Sequence, residues 1–175
     1  MSQISIYFVG LMAVGKSTVG RLLADSLGLQ FFDTDHVIEE RAGAPVAWIF
    51  DVEGEPGFRD REQHVIDELT QQDGIVLATG GGAVLRAENR RVLSARGCVV
   101  HLDSPLERLV ERTQKDKKRP LLRDGDSRAT FRRLLNERLP LYEDIADYRF
   151  VTDHQGPKVL ARQIERRLRD DGVVV

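Results

Sequence analysis

The chain holds one cysteine, Cys98, so no internal disulfide can form. It lies in the apolar run Cys98-Val99-Val100 and reads as a small buried apolar residue. No apolar stretch approaches the roughly 20 residues that a membrane-spanning helix needs. The N-terminus lacks a basic region followed by an apolar segment, so no secretory leader is expected. Neither sign of charge dominates: 26 Lys and Arg stand against 28 Asp and Glu, a net charge of −2 spread along the chain. That balance argues against a dedicated nucleic-acid or membrane surface. There is no internal repeat and no low-complexity segment. What remains is a soluble protein expected in the cytoplasm, folded as a single domain over residues 1–175 with length enough for a full hydrophobic core.

Against these absences stands one dense motif, Gly10-Leu11-Met12-Ala13-Val14-Gly15-Lys16-Ser17. It follows an apolar run, Ile4 to Val9, that reads as a buried strand. It opens into Thr18 to Leu27, where Val19, Leu22, Leu23, Ala24 and Leu27 recur at helical spacing. Strand, Gly-x-x-x-x-Gly-Lys-Ser and helix together form the phosphate-binding P-loop in the context it requires. The glycines let the backbone turn so that N–H groups of Ala13, Val14, Gly15 and Thr18 converge on an anion at a helix N-terminus. Lys16 reaches the β- and γ-phosphates, and the Ser17 hydroxyl is placed to ligate Mg²⁺.

Strands and helices alternate through the rest of the chain. Leu29 to Phe32 is a short strand ending at Asp33-Thr34-Asp35, and a helix over Val37 to Arg41 follows. Val46 to Phe50 is a separate short apolar segment. Phe58 to Leu69 is an amphipathic helix with Arg59, Arg61, Glu62, Asp67 and Glu68 on its polar face. Ile75 to Ala78 and Cys98 to Leu102 are further strands, with a helix over Arg90 to Ala95 between them. Ser104-Pro105-Leu106-Glu107 reads as a capping box. Thr113 to Ser127 is polar and basic. Ala129 to Leu139 returns to helix, Tyr148 to Val151 is a last strand, and Pro157 opens a final helix. The pattern predicts a parallel sheet covered on both faces. In such sheets ligands bind beyond the carboxyl ends of the strands. The P-loop, Asp33-Thr34-Asp35 and Gly80-Gly81-Gly82 all follow strands, so they are expected along one edge of the sheet.

Asp33 and Asp35 offer two carboxylates at that edge. One can hold the hydration shell of Mg²⁺ and the other can orient or deprotonate an acceptor hydroxyl; equally, they suit a helix N-cap and a first-turn acid. The three glycines allow a ligand to approach backbone N–H groups. Arg59 and Arg138 lie on amphipathic helices with acidic neighbours. Taken alone they suggest solvated ion pairs, such as Arg59 with Glu62, although arginine is also the residue for bidentate capture of a carboxylate. Lys115-Asp116-Lys117-Lys118-Arg119-Pro120 fits either a solvated loop or a mobile lid whose arginine closes on a transferring phosphoryl group. There is no second strand ending in a Walker B aspartate and no Asn-Lys-x-Asp, which weighs against a GTPase or motor ATPase.

The combined pattern resembles the shikimate kinase family. It is carried by Gly10-Leu-Met-Ala-Val-Gly-Lys-Ser-Thr, Phe32-Asp-Thr-Asp, Glu53-Gly-Glu with Phe58-Arg59, Gly80-Gly-Gly-Ala, Arg119-Pro-Leu-Leu and Arg138-Leu-Pro-Leu-Tyr, in order along the chain. The resemblance implies ATP-dependent phosphorylation of the 3-hydroxyl of shikimate on the way to chorismate and the aromatic amino acids. It implies a three-layer α/β/α sandwich of the nucleoside-monophosphate-kinase kind, with a five-stranded parallel sheet. A substrate-binding region over about residues 34–62 and a mobile lid over about residues 112–127 would go with it. Asp35 would contact the ring hydroxyls as candidate base, and Asp33 would hold water around Mg²⁺. Arg59 and Arg138 would hold the shikimate carboxylate, with Gly80 to Gly82 lining the same pocket; Arg119 would contact the phosphates, and Arg112 and Gln155 would lie near adenine. A monomer is implied. Rival readings are another small-molecule P-loop kinase, for gluconate or a nucleoside monophosphate, and a non-catalytic ATP-binding regulatory module. One departure is Ala13, where the family commonly carries glycine. Because both signature glycines remain, Ala13 is expected at negative φ.

Overall fold

The computed structural model describes residues 3–114, 127–152 and 155–175. Its centre is β1 (Ile6–Val9), whose four side chains are all buried because the strand is covered on both faces. β3 (Ile75–Ala78) and β4 (Cys98–Asp103) pair with it in parallel, Phe8 lying opposite both Ala78 and Val100. β2 (Gln30–Asp33) extends the sheet beyond β3, and β5 (Tyr148–Val151) beyond β4. The order is β2-β3-β1-β4-β5, all parallel, giving the five strands anticipated from the alternation.

Helices cover both faces. α1 (Lys16–Leu27) packs on α7 (Pro157–Asp170), while α4 (Ala87–Arg96) and α6 (Ser127–Ile145) pack on β4 and on each other. α2 (Thr34–Ala42) leans on α3 (Val46–Leu69), and α5 (Leu106–Thr113) on α6. A single 3₁₀ turn, Ala83–Leu85, follows the triple glycine. The apolar tail, which sequence alone does not place, folds back: Val173 and Val174 pack against the core, and the Val173 N–H donates to the Leu168 carbonyl at 2.8 Å.

Three local readings are corrected. The short apolar segment Val46 to Phe50 is itself helical: α3 consists of two helices that meet at a kink at Gly54 (φ 74, ψ 173), a conformation that glycine adopts without strain, and the segment lies in the first of them. Pro56 is tolerated because it falls just after that break, in what amounts to a new first turn. Second, α6 runs through Pro140 to Ile145 instead of ending at Leu139. Tyr142 and Ile145 are buried beyond the proline, and their packing outweighs the hydrogen bond it removes. Third, Ser104 does not cap α5. Its hydroxyl is buried without a partner among the described residues, and its own N–H donates to Asp103 Oδ1 at 2.8 Å.

Cys98 is buried as expected, and desolvation pushes its thiol up to about 12, so it stays protonated and unreactive. His101 on β4 is the more consequential buried titratable group. Its ring stacks on Tyr142 with centroids 5.0 Å apart, and burial lowers its pKa from 6.5 to about 4. Between those pH values the unfolded chain binds a proton that the native state does not. Stability supplied by neutral His101 is therefore present above about pH 6.5 and is lost as pH falls towards 4. From pH 7 to pH 5 the expected loss is about 2 kcal/mol. Urea unfolding at the two pH values measures it, and His101→Gln should remove most of the difference. An undiminished difference in the variant would assign the loss to other groups.

Candidate active site

The order β2-β3-β1-β4-β5 creates a crevice where the chain, after β1, departs to one side and later returns to the other. The P-loop fills the start of this crevice. Gly10 (φ 150) could carry no side chain, since a Cβ there would lie 2.3 Å from the Leu102 carbonyl oxygen of β4. The loop thus stays against the sheet and turns into α1, which begins after Gly15 (φ 99). Lys16 is 8 % exposed, and its ammonium donates to the carbonyls of Gly10 at 2.6 Å and Leu11 at 2.8 Å. The Ser17 hydroxyl donates to Asp33 Oδ2, while Asp33 Oδ1 accepts from the His36 N–H at 3.1 Å. Asp33 is therefore the N-cap of α2 and at the same time the partner of the P-loop serine.

Ala13 contradicts its expectation: it sits at φ 69, the one non-glycine among the described residues with positive φ. The loop geometry requires a left-handed residue here even with both signature glycines present. The Arg112 guanidinium donates to the Ala13 carbonyl at 3.0 Å. An L-residue in this region is strained by about 1–2 kcal/mol, partly offset by the smaller unfolded-state freedom of alanine relative to glycine. Ala13→Gly should thus raise stability by about 0.5–1 kcal/mol, a Tm increase of about 1–4 °C in thermal melts. An unchanged or lower Tm would mean that the surrounding loop already relieves the strain.

Beyond β3, Gly80, Gly81 and Gly82 meet carboxylates and arginines that lie far apart in sequence. A Cβ on Gly80 would lie 3.1 Å from Asp35 Oδ1 and 2.8 Å from Glu62 Oε2. On Gly82 it would lie 2.2 Å from Arg59 Nη2, so a side chain there would displace that guanidinium. Arg59 is not on a solvated face. It is 7 % exposed, donates to Glu62 Oε1 at 2.9 Å and Glu55 Oε1 at 3.2 Å, and packs over the Phe58 ring. Glu62 is fully buried, and its Oε2 has no partner among the described residues. Burial raises its pKa, against the opposing pull of Arg59, Arg138 and Arg86. Arg138 from α6 is 2 % exposed, with Nε and Nη1 unpartnered among the described residues.

Ala13, Val14, Gly15, Lys16, Ser17, Thr18, Asp33, Asp35, Arg59, Gly80 to Gly82, Arg112, Arg138 and Gln155 all line one cleft of about 1760 Å³. Arg112 reaches the P-loop at the Ala13 carbonyl, and Gln155 Nε2 donates to the Val151 carbonyl at 3.4 Å. Arg119, and with it residues 115–126 of the expected lid, lies outside the described residues. Sequence reasoning misses Glu62 as a member of the site and puts it on the polar face of its helix. The i,i+3 spacing from Arg59 is the available signal, and by itself it suggests only a solvated pair. Tyr142 enters the sequence pattern only as the end of a motif. Among the described residues no group of three or more His, Cys, Asp or Glu side chains could hold a metal ion by itself. No helix among them is long and apolar enough to cross a membrane.

A family model described as "Shikimate kinase" matches residues 12–169. A shikimate kinase of Vibrio campbellii is 55% identical over 166 residues, covering 95% of this chain and 96% of that protein. One from Actinobacillus succinogenes is 58% identical over 161 residues, 91% of this chain and 92% of that one. Among solved structures, shikimate kinase from Acinetobacter baumannii in complex with shikimate superposes with a TM-score of 0.94 at 46% identity, covering 97% of this chain and 94% of that chain.

Proposed function

The chain belongs to the shikimate kinase family, and from that premise we propose that it transfers the γ-phosphoryl group of ATP to the 3-hydroxyl of shikimate. The product feeds chorismate and aromatic amino-acid biosynthesis. The observation that carries the residue assignment is the meeting of Arg59, Arg138 and Asp35 around one triple glycine, in the same cleft as Lys16.

Shikimate carries a carboxylate at one end of its ring. Arg138, buried with two nitrogens that have no partner among the described residues, and Arg59, held in place by Glu62, bind that carboxylate. The ring then presents a hydroxyl towards Asp35. Asp35 accepts the hydroxyl proton as the oxygen–phosphorus bond forms and the bond to ADP breaks. Lys16 leaves the carbonyls of Gly10 and Leu11 and meets the phosphates, whose accumulating charge it offsets. Arg119 is assigned to the phosphates on the family resemblance, as Arg112 and Gln155 are to adenine.

A hydroxyl and a carboxylate already in contact, Ser17 and Asp33, form a hard-oxygen donor set that suits Mg²⁺, an ion that keeps most of its waters and takes few protein ligands. Ser17 would ligate it and Asp33 would hold its water. When bound, the ion neutralises phosphate charge. We assign the protein to the cytoplasm and to a monomeric state.

ADP release with Mg-ATP, measured against shikimate, quinate, gluconate, AMP, CMP and no acceptor, tests this directly. Release with shikimate alone is the expected result. Release with a different acceptor would keep the kinase and remove the Arg59 and Arg138 assignments. ATP binding without any acceptor-dependent release would favour the regulatory-module reading.

A further inference from the structure

We propose that Tyr142 is a positioning residue of the acceptor site: its hydroxyl pins the Gly81–Gly82 peptide between the two arginines and so aligns the anchor for the acceptor carboxylate. The inference rests on the assignment of Arg59 and Arg138 to that carboxylate.

Tyr142 is 1 % exposed on α6, one helical turn beyond Arg138, and its hydroxyl donates to the Gly81 carbonyl. A trans peptide is planar, with its C=O and N–H pointing in opposite directions. Fixing the Gly81 carbonyl therefore also fixes the direction of the Gly82 N–H. Tyr142 approaches from the buried side, whereas Gly80, Gly81 and Gly82 line the cleft, so that N–H is aimed at the cleft. The same peptide lies between the two guanidinium groups. A Cβ on Gly81 would stand 3.4 Å from Arg138 Nη1, and one on Gly82 would stand 2.2 Å from Arg59 Nη2. A Cβ on Gly81 would also stand 3.1 Å from the Met12 amide nitrogen of the P-loop. The peptide is thus the joint between the phosphate-binding and acceptor-binding halves of the cleft.

Glycines do not hold a peptide plane by themselves, because their backbone wells are broad. The Ala83 N–H closes a turn onto the Gly80 carbonyl at 3.1 Å around this peptide, and Tyr142 adds a hydrogen bond to the peptide's own carbonyl, from a rigid position outside the loop. Its ring stacks on His101, which is paired through β4 with Val9, the residue just before the P-loop. Burial raises the Tyr142 pKa, with Arg138 and Arg59 pulling the other way, so the hydroxyl remains a proton donor at any working pH.

Tyr142→Phe keeps the ring, the stacking and the burial and removes the hydroxyl, with its bond to the Gly81 carbonyl and its contact with the Arg138 guanidinium. The measurement is kcat/KM for shikimate relative to methyl shikimate, whose ester lacks the carboxylate charge. The parent enzyme should favour shikimate by about a hundredfold or more. In the variant the preference should shrink by about tenfold, through a loss for shikimate alone, with the methyl ester and the ATP KM unchanged within about twofold. Because both substrates report on the same active molecules, the ratio is unaffected by any unfolded fraction. An unchanged ratio overturns the proposal. So does an equal fall for both substrates, or a variant that does not fold, since either places the hydroxyl in the fold and not in acceptor positioning. A parent enzyme with no preference for shikimate would instead remove the carboxylate assignment itself.

Discussion

Arg138→Ala should raise the KM for shikimate about a hundredfold or more while leaving the KM for ATP within about twofold. The magnitude follows from what the residue has and what it lacks. Arg138 is 2 % exposed, and two of its guanidinium nitrogens have no partner among the described residues. A buried cation in that condition is costly, and an anionic ligand relieves the cost on binding. Binding energy lost from the carboxylate, away from the reacting hydroxyl, should appear mainly in KM and less in kcat. Arg59 is the useful contrast. Glu62 and Glu55 already hold it, so Arg59→Ala should lower the Tm as well as raise KM, because it strands the fully buried Glu62. Steady-state kinetics with each substrate varied, together with thermal melts of both variants, separates the two arginines. Equal losses for shikimate and ATP in Arg138→Ala would remove its assignment to the acceptor.

Lys16→Ala should lower kcat by about a thousandfold or more with every acceptor, since a charge placed against the transferring phosphoryl group acts in a site shielded from water. Its ammonium rests on the carbonyls of Gly10 and Leu11, at 2.6 Å and 2.8 Å, within the loop that would surround the phosphates. Those carbonyls belong to a loop lining the cleft and can turn to water when the lysine is gone, so the fold should survive. Calorimetric titration with shikimate should therefore still show binding near the parental affinity. A variant that keeps more than about a tenth of the parental kcat would exclude Lys16 from the chemistry.

Much of the frame is legible in the sequence because it depends on near neighbours. The P-loop announces itself through eight consecutive residues and the strand and helix that flank them. The continuous apolar runs Ile75 to Ala78 and Cys98 to Leu102 mark strands buried on both faces, and their alternation with helices leads to the parallel sheet observed. Once the strands are parallel, everything that follows a strand falls on one edge. That is why the order of elements along the chain suffices to bring Lys16, Asp35 and Gly80 to Gly82 together.

The errors share one cause, which is that local pattern is asked to decide burial or continuity. Arg59 and Glu62 look like a surface pair at i,i+3, yet α3 turns both inward beneath the triple glycine. Pro140 looks like a helix end, yet α6 continues because Tyr142 and Ile145 have places in the core. Ser104 looks like a cap, yet Pro105 stands at the N-cap and the Ser104 hydroxyl meets no partner among the described residues. Ala13 looks tolerable at negative φ, yet the path between Gly10 and Gly15 forces it to 69°.

The sequence by itself determined the phosphate-binding loop, the class of fold and the edge of the sheet where chemistry occurs. These follow from steric limits on a few adjacent residues and from the period of apolar burial. Only the tertiary structure decided which polar groups leave water and which partners they meet there. Glu62 joins Arg59, Arg138 keeps two nitrogens without a partner among the described residues, and Tyr142 reaches Gly81 across 61 positions of chain. The physical reason is that desolvation and hydrogen-bond pairing depend on surroundings assembled from distant segments. The same arginine is a solvated surface charge or a carboxylate anchor according to what the fold packs around it.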